Sequence, residues 1–160
     1  MAVVTKYAPG YPDPGNNYQS TSMEAGQPVK SALFEVAVAN GDSIASSHYF
    51  ARLPSNAIIL PASSLYCSAI TGVTSYSVGV TNRKGVSVAN ALINAQTLEA
   101  AATVSLVANV GAANLRKRLW QLLGLANDPG GLLHVYGSMN AAATAAGVIT
   151  GVILYQVAGA

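Results

Sequence analysis

HYFARLPSNAIILPASSLYCSAITGVTSYSVGV, residues 48–80, decides the fold class. HYFARLP (48–54) and NAIILPASSLYCSAI (56–70) read as strands. Pro54 and Pro61 fall at edges or bends, because proline cannot donate to a ladder. Thr71-Gly72 is a short turn, and TSYSVGV (74–80) then alternates, with Tyr76, Val78 and Val80 on one face. Working upstream, SALFEVAVA (31–39) sets Leu33 and Glu35 against Phe34, Val36 and Val38, and NGD at 40–42 is a strong turn signal. Downstream, NRKG (82–85) is another turn. The stretch 86–101 is open between a strand followed by a loop and a short helix. ATVSLVANV (102–110) reads as a strand with Val104, Leu106 and Ala108 in step. LLHVYG (132–137) and GVITGVILYQV (147–157) are closing strands on either side of an Ala-rich segment.

Helical spacing is convincing in one place, AANLRKRLWQLLGL. Leu115, Leu119, Leu122 and Leu123 recur at i, i+4, i+7 and i+8, with Trp120 beside them. The spacing predicts a helix near 112–124, with Arg116, Lys117 and Arg118 on its other side and Gly124 to end it. Seven or eight short strands with turns between them, plus one helix, define a mainly β chain. The predicted architecture is an antiparallel β-sandwich, jelly-roll-like, rather than a parallel α/β fold.

Ahead of the first strand lies a different kind of sequence. KYAPGYPDPGNNYQS (6–20) holds Tyr7, Tyr11 and Tyr18 with three prolines and no plausible core. Pro9, Pro12, Pro14 and Pro28 interrupt both helix and ladder. The predicted organisation is therefore an extended arm, residues 1–30, and a sandwich domain, residues 31–160.

The chain has 160 residues, one domain's worth, with 51% apolar and only 9% charged residues. Ordinary soluble domains carry roughly 25% charged residues. Few charges with many small neutral residues suggest that much of the surface meets other protein, because charge is depleted at interface cores. Lys and Arg outnumber Asp and Glu by 8 to 6, too small an excess to point to nucleic acid. A single cysteine, Cys67, excludes an internal disulfide and fits folding in a reducing cytoplasm. No signal peptide is visible at the N-terminus. The uncharged stretch 141–160 reads as a buried terminal strand rather than a membrane span, since alanine is weakly apolar and no basic residues flank it.

Catalytic signals are thin. GVSVA (85–89) has the loose form of a nucleophile elbow, and Asp128 and His134 follow Ser87 in the chain order of an α/β-hydrolase triad. That elbow requires a strand before it and a helix after it in a parallel sheet, so a strand serine after a hairpin turn is the favoured reading of Ser87. His48 and His134 have no ligand spacing, and neither Glu35 nor Glu99 has an obvious partner. No cofactor or metal is expected, and Cys67 reads as a buried, inert thiol.

In order, the chain runs from a Tyr/Pro arm to a first strand ending in NGDS, then YFARLPSNAIILPASSLY, AITGVTSYSVGV, KRLWQLLGLANDPG and a last strand after an Ala/Gly run. Over residues 30–157 this resembles the small virion proteins of tailed phages assigned as capsid decoration or cement proteins. The matching segments are packing motifs with no catalytic residues to carry over. The resemblance implies a non-enzymatic protein on the outer capsid surface that binds the major capsid protein and associates with itself, commonly as a trimer. Head-fibre and tail proteins are built on related sandwiches. An extended arm suits such a role. It can lie across neighbouring subunits, with Tyr7, Tyr11 and Tyr18 as anchors and prolines restricting it in advance. Arg116, Lys117, Arg118 and Trp120 form a second candidate interface. Direct contact with nucleic acid or membrane is not expected.

Overall fold

The computed structural model describes residues 2–8, 29–82 and 84–157. Its strands are β1 (Thr5–Tyr7), β2 (Lys30–Val38), β3 (Ser47–Pro54), β4 (Ala57–Ile59) and β5 (Ser64–Cys67). They continue as β6 (Tyr76–Thr81), β7 (Ser87–Gln96), β8 (Ala102–Ser105), β9 (Leu132–Met139) and β10 (Gly147–Val157). A single helical turn, α1, spans Leu119–Leu122.

Two sheets face each other. One has the order β1-β3-β9-β6-β7, the other β2-β10-β5-β8, with β4 paired to the end of β10. Leaving out β1 and β4, these are the two four-stranded sheets of a jelly roll. The pairings are antiparallel except at β1, which runs parallel to β3 in the register Thr5↔Ser47, Lys6↔His48, Tyr7↔Tyr49. The expected arm thus already contributes a sheet strand at Thr5–Tyr7, while the segment 9–28 lies outside the described residues.

Alternation sends Phe34, Val36 and Val38 of β2 into the core and leaves Leu33 and Glu35 outside. Beside them in the same sheet β10 contributes Ile149 and Ile153, and from the opposite sheet β9 contributes Leu133, Val135 and Met139. The Phe34 and Phe50 rings stack at 4.3 Å and join the two sheets. Phe50 reaches that place through a bulge between Tyr49 and Ala51, which turns two consecutive residues inward. β10, which carries most of the uncharged C-terminal stretch, is the central strand between β2 and β5. No helix among the described residues is long and apolar enough to cross a membrane.

Three local readings change. β6 is buried along its whole length, on both faces. Ser77 is enclosed because its hydroxyl accepts the Ala95 N–H at 3.2 Å and the Asn140 side-chain amide at 2.9 Å. The strand predicted over 102–110 stops at Ser105. Leu106 and Val107 are both buried, which consecutive strand positions cannot achieve on one face, so the chain turns there.

The predicted 112–124 helix divides into a 3-10 turn, Ala112–Asn114, and α1. Arg118 between them is extended, with φ −70° and ψ 155°. Three adjacent cations with no acid one turn away give a continuous helix little support. Tertiary bonds then decide the path. The Trp120 N–H donates to the Ser55 carbonyl at 3.1 Å, and the Arg118 N–H to Gln121 Oε1 at 2.9 Å. The leucines still point inward, with Leu119 and Leu123 buried and Leu115 and Leu122 packed against the core. Gly124 ends the turn in the left-handed conformation at φ 73°.

Candidate interaction surfaces

Three surfaces carry the candidate residues. The first is where β1 joins the sandwich. Lys6 faces inward beside His48 in the parallel register and forms an ion pair with Asp42, which is 5% exposed. The Lys6 ammonium also donates to the Ala37 carbonyl at 2.9 Å, and Asp42 accepts the Ala39 N–H at 2.9 Å. The NGD turn therefore folds its aspartate back to receive a lysine from 36 residues upstream. Lys6→Met would leave the Asp42 carboxylate buried with an amide as its remaining donor. Because Lys6 keeps some exposure, the expected loss is about 2 kcal/mol, below the full value for a buried pair. Urea denaturation measures it, and adding Asp42→Asn should recover part of the loss.

Beneath this pair lies His48, with no solvent exposure. Its Nδ1 is 2.9 Å from the Tyr76 hydroxyl, while Nε2 has no hydrogen-bond partner. Tyr76 extends from β6 across β9 to reach β3, and it passes over Gly137, where a Cβ would overlap its hydroxyl. Burial pushes the Tyr76 phenol well above its ordinary range. Burial, reinforced by Lys6, lowers His48 to about 4, with Asp42 acting in the opposite direction.

On the outer side of the same sheet, Tyr7 stacks on Tyr49 at 5.3 Å and Tyr49 on Tyr136 at 5.7 Å, with His134 edge-on to Tyr49 at 6.0 Å. Tyr7, one of the expected anchors, thus ties β1 to its own sheet while remaining 38% exposed. Tyr11 and Tyr18 lie outside the described residues.

The second surface is the end of the sandwich that bears α1. Arg116 and Lys117 are exposed there, and Trp120 is half-buried against the core. Asp128 lies near Arg118 in the following loop. Its carboxyl sits below the usual range through bonds from Ser55 and the Gly130 N–H, with Arg118 adding to the effect. The hydrolase residues are not assembled. Ser87 pairs with Thr81, and Thr81 pairs with His134, so two strand spacings, about 10 Å, separate the serine from the histidine. His134 packs against Tyr49 on the side away from β7, and Asp128 is held by Ser55 and Gly130. Cys67 is buried and free.

The third surface is the outer face of the β2-β10-β5-β8 sheet. Leu33 is 78% exposed there and Tyr66 46%. They wall a shallow groove whose floor is Thr150 and Val152, with Glu35 at its side. The linear sequence does not mark this groove, because its residues come from three strands that meet only through the register Leu33↔Val152, Glu35↔Thr150 and Thr150↔Tyr66. The Lys6–Asp42 and His48–Tyr76 pairs are equally invisible as motifs. The turn at Asp42 was legible; its burial was not.

No protein-family model matches the chain, and no curated protein does. Two solved structures share its fold. A chain of the cyanophage Pam1 capsid asymmetric unit aligns with a TM-score of 0.53 and 18% identity, over 91% of this chain and 100% of that one. A chain of the capsid of Ralstonia phage GP4 aligns with a TM-score of 0.62 and 16% identity, over 99% of this chain and 100% of that one. At this identity the likeness is one of fold, and it runs the whole length of both capsid chains.

Proposed function

We propose that this chain is a non-enzymatic structural protein of a tailed-phage virion. It binds the outer surface of the major capsid protein lattice and stabilises it as a decoration or cement protein. The observation that carries this reading is the end-to-end fold likeness to chains from two phage capsids. The sparse charge of the chain supports it, since a surface that meets protein on a lattice has little use for charge. In this reading the segment that follows β1 brings Tyr11 and Tyr18 to neighbouring shell subunits, Tyr7 contributes its exposed edge, and many copies on one lattice add avidity.

The test is quantitative mass spectrometry of purified virions. A shell protein should be present on the order of hundreds of copies, whereas a fibre or tail component would give about a dozen, as the symmetry of each location dictates. Absence from the virion would end the proposal. Deleting residues 2–8 should weaken capsid binding and also destabilise the fold, because β1 and Lys6 go with them.

A further inference from the structure

We propose that the groove on the outer face of the β2-β10-β5-β8 sheet receives the Arg116–Lys117 turn of a second copy of this chain. The groove has the composition of a receptor for a long cationic side chain. Glu35 and Tyr66 flank Thr150 in one row, about 10 Å apart across two strand spacings, and the groove lies over Thr150 between them. A stem laid along Leu33 and Val152 would place its head between a carboxylate and an aromatic ring. Arginine uses both, by bonding the carboxylate and stacking on the ring, and lysine uses the same apolar walls.

The charges of the molecule point to this occupant. Among the described residues, Asp42 is committed to Lys6, and Asp128 is held by Ser55 and Gly130 beside Arg118. Glu99 is exposed in the loop after β7. Glu35 is the acid that stands on an apolar face, with no cation against it among the described residues. Of the cations, Arg116, Lys117 and Lys84 are exposed and have no acid partner among the described residues. Arg116 and Lys117 are adjacent and present two cationic stems together, whereas Lys84 stands singly in the β6–β7 turn. Groove and basic turn are complementary and lie on different parts of the molecule, one on a sheet face and the other at an end. A contact between them is therefore heterologous, and it closes into a ring when the rotation between copies allows. A two-fold packing of groove on groove would instead bring two Glu35 carboxylates together. The inference concerns self-association and stands apart from binding to the shell.

Sedimentation velocity on the full-length protein over a wide concentration range tests it. Wild type should associate, and the association should weaken with salt. Glu35→Arg should weaken it by about tenfold or more, and so should Arg116→Glu combined with Lys117→Glu, because each sets like charges opposite one another. Joining all three substitutions in one chain should restore it. All the changed side chains are exposed, and thermal melts report whether each variant keeps the fold. A wild type that stays monomeric, an association indifferent to both reversals, or a triple variant without rescue would each overturn the proposal. A monomeric wild type whose binding to purified capsids is lost on Glu35→Arg would assign the groove to a shell subunit instead of a second copy. A wild type that self-associates and responds to the charge reversals as expected, yet does not bind purified capsids, would leave this inference standing and count against the shell role.

Discussion

Gly79→Ala is expected to abolish folding or to cost about 3 kcal/mol or more, the upper range for overpacking a core. Gly79 sits in the middle of β6, between β9 and β7, and its conformation is one that any residue can adopt. Space is what requires glycine. A Cβ there would overlap the Val88 carbonyl oxygen and lie 2.6 Å from the Ala89 carbonyl carbon and 2.7 Å from its Cα. These are backbone atoms of a paired strand, which cannot rotate aside as a side chain does. Gly111, with nothing within 4 Å of its Cβ position, is the control, and Gly111→Ala should be close to neutral. Urea denaturation of the two variants, with soluble yield, decides the matter. A Gly79→Ala protein of wild-type stability would mean that β7 does not cross β6 this closely.

The same crossing explains which parts of the fold were legible in the sequence. Where one face of a strand is buried and the other exposed, alternation identifies it, and β2 is the clear case. Prolines 54 and 61 marked true ends, since β3 stops at Pro54 and Pro61 lies in the turn before β5. β7 was ambiguous because Asn and Ala are poor strand formers. It is a strand because β6 supplies its register, interrupted by two shifts and by Ala95 at φ 51°. The leucine stripe at 115–123 correctly named residues that face the core, yet it predicted too long a helix. One side of a short turn can bury leucines without a continuous helix when bonds such as Trp120 to Ser55 hold it. The candidate sites were less legible still. Tyr7 read as an anchor for a partner because nothing local opposes it; its stacking partner Tyr49 belongs to a strand more than forty positions away. Arg116 and Lys117 were visible as a basic cluster, whereas the acid best placed to receive them, Glu35, acquires its apolar setting only when β2, β10 and β5 align.

Acidification should remove about 3 kcal/mol of stability between pH 7 and pH 4, and His48 should account for most of it. In the unfolded chain His48 takes up a proton near pH 6.5, whereas in the folded protein it does so only near 4. Between these values the unfolded state binds more protons, so stability is full above 6.5 and falls as the pH drops toward 4. The shift of roughly 2.5 units at about 1.4 kcal/mol each sets the magnitude. The cause is geometric as well as electrostatic. A doubly protonated ring would direct Nε2–H into a part of the core that offers it no acceptor, and its charge would face Lys6. Asp42 opposes the shift, but its carboxylate is already engaged by Lys6 and the Ala39 N–H. His48→Gln should flatten the profile through this window, at some fixed loss from the altered bond to Tyr76. A His48→Gln protein with an unchanged slope would show that other groups carry the acid sensitivity. Since Lys6 belongs to β1, protonating His48 also sets two cations against each other where the first strand docks. The N-terminal segment should therefore loosen before the rest of the sandwich, and hydrogen exchange at pH 4.5 should report faster exchange at Ala8, whose N–H bonds the Tyr49 carbonyl at 2.9 Å, than at the central strands β9 and β10.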